Sequence, residues 1–171
     1  HCEYKLPSGN SVILTSRPDS YGRDKVLGVM QGYGPKVRFQ LTDDHISGWD
    51  VPFHWYPWIP GRNLPIELVY PALVLLLEYN SYPGHIWMHC DSSSMRAPTF
   101  FGLFLHIAYP GRLDEICELA RWSQAHEYRR HSDPRRYADV SLEKDPGIKE
   151  LVDIWVKDGA KAAHSYFTRL V

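Results

Sequence analysis

Between His85 and Tyr109 the chain runs through an apolar segment, a short polar loop and a longer apolar segment. The first is His85-Ile86-Trp87-Met88, the loop is His89-Cys90-Asp91-Ser92-Ser93-Ser94-Met95-Arg96, and the second begins at Ala97-Pro98-Thr99 and continues from Phe100 to Tyr109. No other stretch restricts the fold as tightly. The first segment has strand length, while the second has helix length and the composition of a helix buried on most sides. Strand, tight loop and buried helix in direct succession form half of a strand–helix–strand unit, which needs a sheet to dock on.

The polar residues of that loop carry a specific chemistry. A tight loop entering a helix turns several backbone N–H groups toward one point, and the helix N-terminus adds partial positive charge there. A tetrahedral dianion fits such a cradle. Arg96 can grip it through two parallel N–H···O bonds. Cys90 lies at the base of the same field, which favours the nucleophilic thiolate.

Cys90 and Arg96 with five residues between them, preceded by His89 and flanked by an apolar strand and helix, resemble the signature of the cysteine-dependent protein tyrosine phosphatases. The likeness is to the compact dual-specificity branch. Leu113-Asp114-Glu115-Ile116-Cys117-Glu118-Leu119-Ala120 and Asp145-Pro146-Gly147-Ile148-Lys149-Glu150-Leu151 also look like that branch's late helical elements. The resemblance implies an α/β fold in which a mixed, mostly parallel central sheet is flanked by helices. It implies that Cys90 attacks phosphorus, that residues Asp91, Ser92, Ser93, Ser94, Met95 and Arg96 bind the phosphate, and that His89 orients the loop.

Against that pattern the chain departs at three places. Ser93 stands where the family usually has glycine, which tolerates left-handed backbone angles and close approach to phosphate. Ala97 stands where a Ser or Thr hydroxyl assists release of the thiolate; Ser94 and Thr99 are nearby hydroxyls outside that slot. Phe53 to Pro65 looks like the acid-bearing loop, yet it has no aspartate around Ile59 to Gly61. Asp50 upstream and Asp91 inside the loop are the candidate acids. A loop carboxylate beside the nucleophile, with a small residue after the arginine, also resembles the rhodanese-fold cell-cycle phosphatases. Asp43 and Asp44 read as solvated carboxylates.

Elsewhere the pattern predicts strands at Ser11–Thr15 and Lys36–Thr42 and an aromatic edge segment at Val51–Trp58. Helices are expected from Ile66 to Tyr79, Ala97 to Ala108, Leu113 to Gln124, Ser141 to Trp155 and Ala160 to Leu170. In the Leu113 helix, Ile116, Leu119 and Ala120 are expected to face inward. Trp55, Tyr56 and Trp58 either wall the phosphate pocket or fill the core; His54 and Arg62 are further polar residues of interest. The arginines between His126 and Arg136 are interleaved with Glu127 and Asp133, so local ion pairs explain them more simply than a second anion site.

The 171 residues suit one domain spanning 1–171. A net charge of -1 offers no global attraction for nucleic acid or anionic membrane. Cys2, Cys90 and Cys117 lack metal-ligand spacing and suggest a reducing, cytoplasmic setting without disulfides. No apolar run is long enough to span a membrane, no signal peptide or lipidation motif is visible, no metal or organic cofactor is implied, and a monomer is expected. Hydrolysis of a phosphate monoester, with phosphotyrosine or phosphoserine/threonine in protein as substrate, is the leading reading. The alternatives are a pseudophosphatase that binds phosphorylated ligands, and an RNA 5′-end or lipid phosphatase.

Overall fold

The computed structural model describes residues 1–18, 23–44, 51–59, 65–90, 95–122 and 133–171. Its elements follow in the order β1 (Cys2–Lys5), β2 (Ser11–Thr15), α1 (Arg23–Tyr33), β3 (Val37–Gln40), β4 (Phe53–Trp55), α2 (Ile66–Tyr79), β5 (Ile86–His89), α3 (Arg96–Ala108), α4 (Leu113–Glu118), β6 (Arg121–Trp122), α5 (Pro134–Lys144), α6 (Pro146–Asp158) and α7 (Ala160–Leu170). The strands form one sheet in the order β4-β3-β5-β2-β1-β6. β4, β3, β5 and β2 run parallel, and β1 and β6 close one side antiparallel. This is the expected α/β sandwich around a mixed, mostly parallel sheet.

Strand periodicity divides the side chains between two unequal faces. On one face, Ile13 and Trp87 pack against Met30, with Val26, Val29 and Tyr33 of α1 at the margin. The other face carries the main core, where Val12, Leu14, Phe39, Ile86 and Met88 meet Phe100, Phe101, Leu103 and Phe104 of α3 and Leu151 of α6. α3 is buried continuously from Arg96 to Leu105, as its all-round apolar sequence requires. Register brings Gln40 opposite His89 across β3–β5 and Thr15 opposite His89 across β2–β5. The parallel strands therefore end together, and Cys90 leaves the sheet at their shared C-terminal rim.

Several elements differ from the sequence reading. α4 stops at Glu118, and Arg121–Trp122 then pairs with Cys2–Glu3 as β6. Leu119, expected to face inward, is 72% exposed at the end of this short helix. Joining the otherwise open edge of β1 satisfies backbone groups that further helix would leave unpaired there. The helix expected over Ser141–Trp155 is two helices. Asp145 breaks them in extended geometry and caps the second by accepting a hydrogen bond from Ile148 N at 3.1 Å, with Pro146 starting the next helix. β1 and α1 were not anticipated. β4 is the aromatic edge segment, at the sheet margin as its prolines demand.

Candidate active site

In open parallel sheets, ligands bind beyond the carboxyl ends of the strands. Here that rim gathers Cys90 after β5, the Leu41–Asp44 segment after β3, Tyr56–Ile59 after β4 and Arg17 after β2. Leu41 N donates to His89 O at 2.9 Å, which holds the segment after β3 directly beside the Cys90 strand. Cys90 itself is buried. Met95 precedes α3 in non-helical geometry (φ -138°, ψ -63°) without a capping side chain, and no acidic residue occupies the first turn. The positive end of this 13-residue helix therefore faces the Cys90 loop without a carboxylate from that turn.

Arg96 sits in the first turn of α3 with its side chain only 4% exposed. Its Nη1 donates to Trp58 O at 2.8 Å and lies 3.5 Å from Asp43 Oδ1. A buried guanidinium is stable only with such partners. Fixing Nη1 sets the orientation of the Nε/Nη2 edge, the fork that suits a tetrahedral oxyanion. Sequence reasoning missed this role of Asp43, which is no free carboxylate although its side chain is 50% exposed. Asp44, another carboxylate that the sequence pattern places in solvent, pairs with Arg17 at 2.8 Å.

The turn carrying these aspartates is built on buried polar side chains. Gln40 Nε2 donates to Thr42 Oγ1 and to Asp44 O, both at 3.0 Å, and Thr42 Oγ1 donates to Asp44 O at 2.6 Å. Trp55 Nε1 donates to Thr42 O at 2.8 Å. The signal available in the sequence was positional: Thr42-Asp43-Asp44 directly follows a strand that neighbours the Cys90 strand in a parallel sheet.

Other candidates have definite places. The His89 ring is fully buried and lies tilted against Trp87 at 5.5 Å between centroids. Trp58 belongs to the core, Tyr56 packs against it half-buried, and Trp55 is exposed near the rim. His54 faces the core instead, 3.1 Å from Tyr79 Oη, and burial lowers its pKa below the ordinary histidine value. Ala97 is completely buried, and the Thr99 hydroxyl donates to Met95 O at 2.6 Å. Thr99 is thus spent on the backbone of its own helix. Asp50, Pro60, Arg62, Arg129, Arg130 and the loop residues Asp91, Ser92, Ser93 and Ser94 lie outside the described residues. Among the described residues from Tyr56 to Ile59 there is no carboxylate.

No family model and no curated protein matches the sequence significantly. Solved structures do match. A mutant form of Tk-PTP aligns over 85% of this chain and 96% of its own, with TM-score 0.55 and 17% identity. DUSP15 aligns over 96% of this chain and 94% of its own, with TM-score 0.53 and 13% identity. The core catalytic domain of the S. cerevisiae PP-IP phosphatase SIW14, solved with citrate, aligns over 83% and 86%, with TM-score 0.52 and 18% identity. With the sheet order, the rim-mounted cysteine and the arginine opening the central helix, these likenesses give the chain the fold of the cysteine-dependent protein tyrosine and dual-specificity phosphatases.

Proposed function

We propose that this protein hydrolyses phosphate monoesters through a phosphocysteine on Cys90. The observation that carries the reading is the fixed pair at the rim: a buried cysteine at the end of β5, and six residues later a buried guanidinium anchored by Trp58 O and Asp43. In the proposed reaction Cys90 Sγ attacks phosphorus in line, and the bond to the leaving oxygen breaks as that oxygen takes a proton. Water then attacks the thiophosphate, phosphate departs, and the thiolate is restored. Arg96, residues Asp91 to Met95 and the α3 N-terminus stabilise the equatorial oxygens as charge redistributes. His89 holds the strand end beneath them. Asp50 and Asp91 are the proposed proton donors, while Asp43 positions Arg96.

A protein phosphomonoester is the proposed substrate class. The exposed ring of Trp55 and the exposed side chain of Ile59 offer an apolar rim suited to a phosphotyrosine ring or the stem of a phosphoserine or phosphothreonine. A cytoplasmic protein with no metal or organic cofactor fits this chemistry, which draws only on side chains and backbone. The RNA 5′-end and lipid readings rested on the arginine cluster, and Arg135 of that cluster is already held by three carboxylates.

One observation favours a second reading, a phosphate-binding domain with weak turnover. Buried Ala97 supplies no hydroxyl for thiolate release, and Thr99 is bonded elsewhere. An aryl phosphate assay of the wild type beside Cys90→Ser decides between the two. Cys90-dependent turnover supports the enzyme, whereas orthovanadate binding without turnover establishes the binding domain.

A further inference from the structure

The Asp43 side chain is 50% exposed, so water competes for its carboxylate, and Oδ1 lies 3.5 Å from Arg96 Nη1. Charge-assisted hydrogen bonds are tightest at about 2.7–2.9 Å, so a contact at this separation depends on where the backbone holds the carboxylate. Side-chain freedom alone would let Asp43 swing into solvent. The turn that carries it therefore decides whether it stays beside Arg96.

That turn closes on Thr42. The residue is fully buried, and its hydroxyl accepts from Gln40 Nε2 at 3.0 Å while donating to Asp44 O at 2.6 Å. Its carbonyl accepts from Trp55 Nε1 at 2.8 Å, which ties the turn to the end of β4. Gln40 Nε2 also donates to Asp44 O, at 3.0 Å. Beyond Asp43, the Asp44 carboxylate pairs with Arg17 at 2.8 Å. Both neighbours of Asp43 are thus tethered, and the Thr42 hydroxyl bridges them. Buried hydrogen bonds of this kind stiffen a segment, because breaking one leaves a polar group unpaired.

Resting on the phosphatase reading of the Cys90 rim, we propose that Thr42 is a positioning residue for that reaction. Its hydroxyl locks the turn, the turn sets the Asp43 carboxylate, and the carboxylate sets the Arg96 guanidinium. Thr42→Val replaces the hydroxyl with a methyl at nearly equal volume and leaves Gln40 Nε2 its bond to Asp44 O; Thr42→Ser keeps the hydroxyl. Thr42→Val is expected to lower kcat/KM on an aryl phosphate about fivefold, the worth of one buried hydrogen bond. Thr42→Ser should stay within about twofold of the wild type. In an Asp43→Asn background, Thr42→Val should cost less than about twofold more, because the link it acts through is already cut. Hydrogen exchange at Arg96 Nε, followed by NMR in the full chain, reads the same link without turnover. Thr42→Val should speed it about threefold or more, while Arg38 Nε, on β3 and completely buried, keeps its rate. Absence of Cys90-dependent turnover in the wild type removes the phosphatase reading, and the exchange rates then decide whether Thr42 holds Arg96. Equal acceleration at both arginines, unchanged exchange at Arg96, a full loss retained in the Asp43→Asn background, or Thr42→Ser as impaired as Thr42→Val overturns the proposal.

Discussion

In the proposed reaction Arg96 has to be charged, buried and held in one orientation, and the structure gives its guanidinium two partners on one nitrogen. The Trp58 carbonyl and the Asp43 carboxylate both lie against Nη1. Lysine preserves the charge but not the planar fork, so Arg96→Lys should lower kcat on an aryl phosphate by about 10²-fold or more. Asp43→Asn removes the negative neighbour at nearly constant volume. It should reduce kcat/KM about tenfold, roughly 1.4 kcal/mol of transition-state stabilisation, and leave the alkaline limb of the pH–rate profile in place. Disappearance of that limb would instead make Asp43 the proton donor. On the proposed mechanism, Ala97→Ser adds a hydroxyl directly after Arg96, in a fully buried slot. If the phosphocysteine breaks down slowly, rapid-quench kinetics should show a burst in the wild type that shrinks in this variant as kcat rises. The spacing of Cys90 and Arg96 is local and is read directly from the chain. The role of Asp43 was not legible there, because its partner lies 53 residues away and only the β3–β5 register brings the two together.

The elements that sequence revealed best are those whose neighbours in the chain are also their reasons for folding. α2 and α3 carry long apolar runs, and β2 and β5 carry short ones bounded by polar turns. β6 shows the opposite: Arg121–Trp122 has no strand pattern of its own and exists because β1 offers an edge. The α5–α6 break was signalled by Asp145-Pro146, but helical periodicity on both sides masked it. Asp145→Ala removes that cap, so it should destabilise by about 1 kcal/mol and lower Tm by roughly 2–4 °C. Gly102 is a stronger constraint. A Cβ there would run into the Pro134 carbonyl oxygen and Ala138 Cβ where α5 crosses α3. Gly102→Ala should therefore cost about 1–3 kcal/mol by overpacking, despite alanine's better helix propensity, and a denaturant melt measures the loss.

Across the whole molecule, the Arg135 cluster ties the α5 start to α4 and makes part of the stability depend on pH. Burial alone would raise the Asp133 carboxyl, but its hydrogen bonds from Arg135 outweigh that and hold it below the ordinary carboxylate value. Its contribution is present above the unfolded value of about 3.9 and is lost as pH falls through the lower folded value. Asp133→Asn keeps a capping side chain but not the charge. Its Tm deficit should be clear near neutral pH and close on acidification, a convergence that thermal melts across the acid range will show. The ends of the sheet have a different consequence. β4 has three residues set between Pro52 and Pro57, and β6 has two. Among the described residues, neither margin presents a row of open backbone groups long enough to template another strand. Exposed Phe53 and Trp55 make the β4 margin sticky in composition, so its resistance to self-association rests on brevity and on those prolines. Replacing Pro52 and Pro57 together with threonine should turn this edge into a nucleus for intermolecular β-sheet, visible as faster thioflavin-positive aggregation at unchanged ionic strength.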